Sequence, residues 1–359
     1  MRISLRALNR TYLRRQLLLG GGPRDVEAVV RHLVAVQAQE VDAPYVSMWL
    51  RLPEFAHDGL SAALRDRVVV RGGLLRGTQH ITAGTDYLWL RPLLAGRRGN
   101  AGLSPFRQQI EGLELAEIVR AAREIMAGRT LTRPQLAKAL GERFPGRQGI
   151  PLAWAAQHQL AIIHPPPTGT WRRRGHVHCA LAEEWIGAPL RADGDVRELF
   201  RRYLVGCGPA TIQDFQVWSG LRKMREEIEG MRGELRVYVD DSGRELFDLP
   251  ELGIADGDEP VPVRFVPEFD NLVLSHEDRA RIIVNAADRA EITPGYSVVK
   301  PTFLEDGFVA GTWAVEGGRL DITPFRPLRD AAAVYEQAVQ LADFLQLEQG
   351  QGTDRIRLG

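Results

Sequence analysis

Apolar residues recur at three- and four-residue steps near the start of the chain, at Val26, Val29, Val30, Leu33 and Val36. This spacing predicts an amphipathic helix over residues 25–36 that buries one face. Two glutamines, Gln37 and Gln39, follow its last turn. The pattern therefore predicts a polar loop held at the end of a buried helix.

The middle of the chain carries three helical patterns and then a hairpin pattern. The helices are predicted over 115–127, 130–140 and 151–160. The second begins with Thr132 as N-cap and has Gln135 three residues later, which is the spacing of a capping box. Apolar residues 162–163 and an alternating stretch over 170–179 then predict two strands. Three helices followed by a hairpin predict a winged helix.

The same order appears on both sides of this unit. The C-terminal copy has helices over 196–205, 208–215 and 221–231 and a hairpin over 234–248. The N-terminal copy has helices over 4–19, 25–36 and 61–64 and strands over 68–70 and 79–81. Residues 260–320 alternate like a small β element, and an apolar stripe over 330–347 predicts a closing helix.

These patterns predict an α+β fold with four parts. They are three tandem winged-helix motifs over 1–108, 109–190 and 191–255, and a C-terminal β element with its helix over 256–359. A winged helix is above all a nucleic-acid module, because its third helix fits the major groove and its wing lies over phosphate. Tandem copies predict a concave DNA-binding surface that wraps a duplex.

The charge composition restricts the possible partners of the chain but does not identify one. The 359 residues include 46 basic and 46 acidic side chains, so no overall field draws the chain to nucleic acid or to a membrane. Lysine occurs only at 138, 223 and 300, and arginine therefore dominates the basic residues. Arginine binds phosphate bidentately, and its density over 65–107 favours local contact with phosphate there.

The cysteines and the N-terminus indicate where the protein works. Cys179 and Cys207 are too few for a disulfide framework in a chain of this size, which indicates a reducing compartment. Residues 1–10 carry charge throughout and lack the apolar core of a signal peptide. No stretch has the apolar length of a transmembrane helix. We expect a cytoplasmic monomer.

The pair Gln37 and Gln39 is the main candidate for chemistry. Each glutamine has one carbonyl acceptor and one amide donor group, so two of them in a loop can hold a water molecule or grip a base edge. Neither can act as a general base. The alternative is that both are ordinary polar residues at a helix end.

Three motifs together resemble the tandem winged-helix DNA glycosylases. They are Gln37-Ala-Gln39, Arg76-Gly-Thr-Gln-His80 and the stretch Pro267-Glu-Phe-Asp-Asn-Leu-Val-Leu-Ser-His-Glu-Asp-Arg279. The resemblance covers essentially the whole chain and keeps the motifs in family order. Within the family it is greatest to the branch linked to azinomycin resistance, which unhooks interstrand crosslinks. The small apolar Ala38 fits the family's pattern of a hydrophobic residue between two glutamines.

The resemblance implies a function and a set of site residues. Gln37 and Gln39 would be the catalytic pair at the centre of a concave DNA-binding face, with a β-hairpin probing the DNA. Further residues are expected to contact phosphate or the active-site loop: Arg76, His80, His276 and Arg279. The run Arg172-Arg-Arg174, with Arg173 at its centre, is expected to form a wing that touches phosphate.

Alkylation at purine N7 explains why two amides are sufficient for catalysis. The alkylated base is cationic and leaves as a neutral molecule, so it needs little protonation from the enzyme. What remains is to position water at C1′ and to stabilise the oxocarbenium character of the sugar, which are orienting and electrostatic tasks. The expected substrate is therefore double-stranded DNA with alkylated or crosslinked purines. No metal or nucleotide cofactor is expected.

Other side chains offer competing chemistry. His176, His178 and Cys179, together with His164, are spaced so that they can form a zinc site, although a short strand often alternates such residues. Glu40 and Asp42, just beyond the glutamines, offer a carboxylate base. A mechanism that rests on these carboxylates is the minor alternative.

Two other functions remain open at this stage. A sequence-reading transcriptional regulator also uses winged helices, but residues 221–229 carry three bases against three acids, which disfavours reading of the major groove there. The second is a protein that only sequesters alkylated DNA or the alkylating drug. The leading interpretation is a monofunctional DNA glycosylase that gives self-resistance to a DNA-alkylating natural product.

Overall fold

In the computed structural model, the boundaries of helices and strands follow the apolar pattern of the sequence, with several differences. The structure describes residues 1–98, 106, 108–295, 298–348 and 355–359. It mixes helices and strands, which confirms the α+β prediction. No helix in these ranges combines the length and the apolar character that crossing a membrane requires.

The strands in chain order are β1 Val36–Gln37, β2 Val69–Gly73, β3 Gln79–Ala83, β4 Leu131–Thr132, β5 Ile162–Ile163, β6 His178–Leu181, β7 Arg236–Val239, β8 Glu245–Asp248, β9 Arg264–Val266, β10 Thr302–Glu305, β11 Phe308–Glu316, β12 Arg319–Pro324 and β13 Ile356–Leu358. The helices up to residue 159 are α1 Leu5–Arg15, α2 Val26–Leu33, α3 Ala43–Arg51, α4 His57–Arg65, α5 Gly84–Arg98, α6 Leu115–Met126, α7 Arg133–Arg143 and α8 Gly149–Gln159. The later helices are α9 Ala182–Ile186, α10 Val196–Cys207, α11 Ile212–Ser219, α12 Arg225–Glu229, α13 Asn271–Leu274, α14 Ala286–Ile292 and α15 Ala331–Phe344. Short 3₁₀ turns lie at 75–77, 108–110, 232–234 and 279–281.

One six-stranded sheet joins the first two predicted units, in the order β1-β3-β2-β5-β6-β4. The junction is the antiparallel pairing of Gly72 in β2 with Ile163 in β5. At one edge, β1 pairs with β3 so that Gln37 lies opposite His80. The sheet therefore presents the first glutamine at the end of its edge strand.

The apolar cores also cross the predicted boundaries. The second unit has its own core, which includes Ile118, Leu136 and Leu152. The largest core instead joins side chains of the first and third units, such as Tyr12 and Phe215. The division into three winged helices at 108/109 and 190/191 stays a prediction, as does the concave shape.

The C-terminal β element is a five-stranded sheet in the order β13-β12-β11-β10-β9. Helix α15 packs on it through buried residues, including Val334, Ala338 and Leu341. The hairpin β7–β8 is a separate two-stranded sheet, and the capping box of Thr132 and Gln135 at the start of α7 is present. These elements were predicted from the sequence.

The helix predicted over 25–36 is shorter in the structure, and this prediction was wrong at its end. Helix α2 stops at Leu33, because Val34 adopts a φ of 68° that no right-handed helix contains. Val36 then pairs with Ile81 in the sheet. The apolar stripe therefore continues across a change from helix to strand, and Gln37 lies in a strand and not in a loop.

The strand predicted over 170–179 was also wrong for most of its length. Only His178 and Cys179 belong to β6, and residues 170–177 form an irregular loop. Trp171 leaves the sheet to stack on His57, with ring centroids 4.0 Å apart, and to pack on Tyr45. This aromatic packing carries the loop from the second predicted unit onto the first.

Candidate active site

Gln37 is the last residue of β1, and its side chain is held from one side. Only 6% of the residue is exposed. Its carbonyl Oε1 accepts a hydrogen bond from the guanidinium of Arg76. Because a guanidinium has no acceptor atoms, the carbonyl oxygen and not the amide nitrogen must face it. The amide group of Gln37 is therefore left as a donor on the opposite side.

Gln39 is in a different environment two residues later. Its side chain is exposed, and its Oε1 lies 3.4 Å from the backbone nitrogen of Gln79, at the long limit of a hydrogen bond. Between the glutamines, the backbone N–H of Ala38 donates to the Gln79 carbonyl at 2.8 Å. The buried Arg71 donates to the Ala38 carbonyl at 2.9 Å. The backbone of the pair is thus fixed, while the side chain of Gln39 is exposed and held by one long hydrogen bond.

Arg76 and His80 form a cluster with Gln37. Nη1 of Arg76 donates to the backbone carbonyl of Trp218 at 2.6 Å, and Nη2 lies 3.5 Å from Nε2 of His80. Nδ1 of His80 lies 3.0 Å from the Thr78 carbonyl, to which it donates. His80 is 1% exposed. Of the two predicted contacts, with phosphate or with the segment of the glutamines, the structure shows the second: Arg76 bonds to the Gln37 side chain, and His80 lies opposite Gln37 in the sheet.

The arginine run lies beside the same loop, although the strand expected there is absent. The backbone N–H of Arg172 donates to Asp42 at 2.8 Å, and Arg174 forms an ion pair of 2.8 Å with the other oxygen of Asp42. The guanidinium of Arg172 donates to the Leu345 carbonyl. All three arginines from 172 to 174 are exposed. The loop thus brings positive charges against Asp42, which follows Gln39 by three residues.

The third motif, residues 267–279, supports the segment that carries the two glutamines. The side chain of Asn271 donates to the Ala35 carbonyl at 2.7 Å, one residue before β1. Asp270 forms a buried ion pair with Arg51 of α3, and Asp42 precedes that helix. The motif therefore fixes both ends of the segment from Ala35 to α3.

One carboxyl group in this motif was not singled out from the sequence. Glu268 is half-buried and interacts electrostatically with Glu40, Asp42 and Arg174. Burial and the Glu40 carboxylate raise the pKa of Glu268 above its usual range. The raised pKa is a property of the folded chain, since 228 residues separate Glu268 from Glu40 in the sequence.

The structure does not bring His276 or Arg279 to the glutamines. His276 is 2% exposed, and its Nε2 bonds to the Cys207 carbonyl at 2.9 Å. Burial and the nearby Arg281 lower the pKa of His276 to about 3. Arg279 is half-buried, and burial and Arg289 lower its pKa. His276 is therefore a buried side chain that DNA cannot contact. This corrects the prediction that it contacts phosphate.

The basic stretch over 65–107 serves mainly internal contacts. Arg65 pairs with Asp58, and Arg97 pairs with Glu227. Arg91 donates to the backbone carbonyls at the end of α8, including the Leu160 carbonyl at 3.1 Å. Arg107 lies outside the described residues. The density of arginine here reflects packing between elements as much as an outward charge.

The histidines of the possible zinc set have other partners. Nδ1 of His164 donates to the His178 carbonyl at 2.8 Å, and Nδ1 of His178 bonds to the Thr168 hydroxyl at 3.0 Å. Cys179 is buried, and burial raises the pKa of its thiol to about 11. Within the described ranges, no group of three or more His, Cys, Asp or Glu side chains is placed to hold a metal ion.

The fully buried His164 makes the stability of the fold depend on pH. Burial and the neighbouring Arg71 and Arg133 lower the pKa of His164 to about 3 in the folded chain, against about 6.5 when unfolded. Its stability contribution is present above pH 6.5 and is lost as the pH falls toward 3. Lowering the pH from 7.5 to 5 is expected to cost about 2 kcal/mol of unfolding free energy from this group.

Urea unfolding of the wild type and of His164→Asn at both pH values measures this effect. The loss of stability between pH 7.5 and 5 should be smaller in the variant by that amount. The comparison uses the difference between two pH values, so any constant cost of the substitution cancels. Equal losses in the two proteins would contradict the assignment.

Comparisons with known proteins agree with this geometry. The family model described as "DNA glycosylase AlkZ-like" matches residues 30–344. Among solved structures, the Streptomyces sahachiroi DNA glycosylase AlkZ superposes with a TM-score of 0.83, covers 100% of both chains and is 22% identical in sequence. This superposition shows that the two proteins share a fold. No curated protein gives a significant sequence match. The family match includes Gln37, Gln39, Arg76 and His80, and the chain belongs to the AlkZ-like DNA glycosylase family.

Proposed function

We propose that this DNA glycosylase hydrolyses the N-glycosidic bond of N7-alkylated purines in double-stranded DNA. The proposal includes the unhooking of interstrand crosslinks formed by such lesions, as self-resistance to a DNA-alkylating natural product. Family membership makes DNA repair glycosylase chemistry the function of the chain and does not favour the transcriptional regulator. The observation that carries the finer proposal is the pair of neutral amides, Gln37 and Gln39, at the edge of the sheet.

The environment of the pair suits a cationic leaving group. Both oxygens of the Asp42 carboxylate already accept hydrogen bonds, from the Arg172 backbone and from the Arg174 guanidinium, which disfavours Asp42 as the base that activates water. Amides alone supply no strong acid or base. An N7-alkylated purine can leave without a strong acid or a strong base, because breaking the bond to C1′ neutralises the base. Unmodified purines are then very poor substrates.

Crosslinked substrates require an exposed site, because a base tied to both strands cannot swing into a deep pocket. The exposure of Gln39 meets this requirement. The adjacent Arg172, Arg173 and Arg174 supply positive charge for the DNA backbone on the same side. We include these three arginines in the proposed DNA contact and leave out His276, which is buried.

The proposed enzyme is monofunctional, which means that it leaves an intact abasic site. Strand cleavage by a glycosylase requires an amine that forms a Schiff base with the sugar. None of the contacts described around the glutamine pair involves a lysine, and the three lysines are Lys138, Lys223 and Lys300. We further propose that the protein acts on DNA as a cytoplasmic monomer.

A duplex with a single N7-methylguanine tests the proposal. Wild-type protein is expected to release the methylated base and to leave an abasic site, while a matched duplex with guanine at that position stays intact. A second duplex with an interstrand N7 crosslink is expected to separate into single strands. Tight binding without base release would instead favour sequestration of alkylated DNA and would overturn the proposed reaction.

A further inference from the structure

Gln37 and Gln39 have opposite hydrogen-bonding environments, although the sequence makes them look equivalent. The carbonyl of Gln37 is bonded to the Arg76 guanidinium, and the residue is 6% exposed. The carbonyl of Gln39 accepts a long hydrogen bond of 3.4 Å from the backbone N–H of Gln79, and the residue is exposed. One carbonyl therefore faces a fixed positive charge, and the other accepts a long hydrogen bond from a neutral backbone N–H on an exposed residue.

This difference decides what each amide can offer to the reaction. A carbonyl that accepts a hydrogen bond from a guanidinium has less electron density for a second partner, and a cationic sugar beside it would also be repelled by the guanidinium. Its amide group still presents N–H donors on the other side. The carbonyl of Gln39 keeps a second lone pair beside its bond to Gln79, so it can accept a hydrogen bond from water and lie against an oxocarbenium ion without that repulsion.

Arg76 is fixed at a junction of three chain segments. It lies between β2 and β3 with a φ of 54°, and its guanidinium bonds to β1 through Gln37 and to the end of α11 through the Trp218 carbonyl. Gly220 packs directly against it, since a Cβ at that glycine would lie 2.9 Å from the Cα of Arg76. A side chain fixed at both ends holds its partner in one orientation.

We propose that Arg76 is a positioning residue, which fixes Gln37 as a hydrogen-bond donor and leaves Gln39 to supply the acceptor that orients the attacking water. This inference rests on the proposed function of the glutamine pair. Of the two contacts that the sequence left open for Arg76, phosphate and the active-site loop, it assigns the second. Lysine cannot replace it, because one ammonium does not have the fork that reaches two carbonyls.

The two roles of Arg76 differ in what they change. A phosphate contact would weaken DNA binding and reduce the salt dependence of affinity by about one ion, and Arg76→Lys would retain most of it. A positioning residue would change the rate of base release at saturating enzyme while affinity stays constant. We expect Arg76→Gln and Arg76→Lys to lower this single-turnover rate by about tenfold to a hundredfold.

The experiment measures single-turnover release of N7-methylguanine and DNA affinity for the wild type, Arg76→Gln and Arg76→Lys. Arg201→Gln is the matched control, since it removes an arginine that pairs with Glu234 on the surface, and its rate should equal that of the wild type. The same Arg76→Gln change is then made in a Gln37→Ala background, where we expect no further loss of rate. A purely structural role would give the same loss in both backgrounds and would overturn the inference.

The outcomes separate this inference from the proposed function. Release by the wild type together with unchanged rates in both Arg76 variants would overturn the positioning role and leave the glycosylase reaction in place. A lower DNA affinity with an unchanged rate of base release at saturating enzyme would show that Arg76 contacts phosphate, and it would overturn the positioning role. No release by folded wild-type protein would overturn the proposed reaction and this inference with it.

Discussion

Gln39→Ala is expected to lower the single-turnover rate of base release from an N7-methylguanine duplex by about a hundredfold to a thousandfold. The substitution removes the side-chain carbonyl that would orient water, and it leaves intact the buried hydrogen bond from Arg71 to the Ala38 carbonyl. DNA affinity should stay constant, because no phosphate contact is lost. Release of the base is followed by chromatography, and affinity by fluorescence anisotropy.

Gln340→Ala serves as the matched control, because it removes an exposed glutamine on α15 and should leave the rate unchanged. Glu40→Gln tests the competing mechanism, in which the exposed Glu40 carboxylate activates water. If Glu40→Gln loses as much activity as Gln39→Ala, the carboxylate takes the role of base. If Gln39→Ala keeps the wild-type rate, the amide mechanism is wrong.

Replacing the amide with a carboxylate is expected to change the rate of base release differently at the two glutamines. Gln39→Glu keeps an acceptor oxygen at the same position and should retain more activity than Gln39→Ala. Gln37→Glu would form an ion pair with Arg76 and would remove the amide group, which is the donor of the Gln37 side chain. This variant should be as inactive as Gln37→Ala. The asymmetry follows from the Arg76 contact, which the spacing of the two glutamines does not reveal.

The sequence was sufficient where local chemistry decides the structure. The capping box at Thr132 and the hairpin over 236–248 depend on neighbouring residues, and both are present. The glutamine motif was recognisable because its composition is unusual in a buried segment. The DNA glycosylase family was predicted from three such motifs, and the family match over residues 30–344 confirms it.

The sequence was insufficient where tertiary contacts decide. Val34 ends α2 with a positive φ, which apolar periodicity cannot show for a β-branched residue. Helix α3 was not predicted, although it positions Asp42 and Arg51. His276 illustrates the same limit for side chains. Its polar character suggested a contact with phosphate or with the active-site loop, but its partner, the Cys207 carbonyl, is far away in the sequence.

Breaking the buried ion pair of Arg51 and Asp270 is expected to cause the largest loss of stability. Both side chains are fully buried, and two hydrogen bonds of 2.8 Å and 2.9 Å join the guanidinium to the carboxylate. The Ser47 hydroxyl donates to the same carboxylate at 2.7 Å. Burial alone would raise the pKa of Asp270, but Arg51 and these donors hold it below its usual range.

Asp270→Asn leaves the Arg51 charge buried without its counter-ion, which is expected to cost about 3–5 kcal/mol of unfolding free energy. Arg51→Met leaves the carboxylate unpaired and should cost a similar amount. The double variant should be more stable than the sum of the two losses predicts, because neither charge then remains. Urea unfolding of the four proteins at pH 7.5 gives the coupling energy directly.

The pair also links stability to the active site, because it fastens the third motif to the helix that follows the glutamine loop. Partial loosening of this link should therefore lower the rate of base release in Asp270→Asn even at temperatures where the variant stays folded. Asp58→Asn is the matched control, since the ion pair of Asp58 and Arg65 has a similar distance of 2.6 Å but is exposed to solvent. Exposed pairs contribute little to stability, so this variant should unfold like the wild type. Equal effects of the buried and exposed substitutions would show that the Arg51 and Asp270 pair holds neither the fold nor the site.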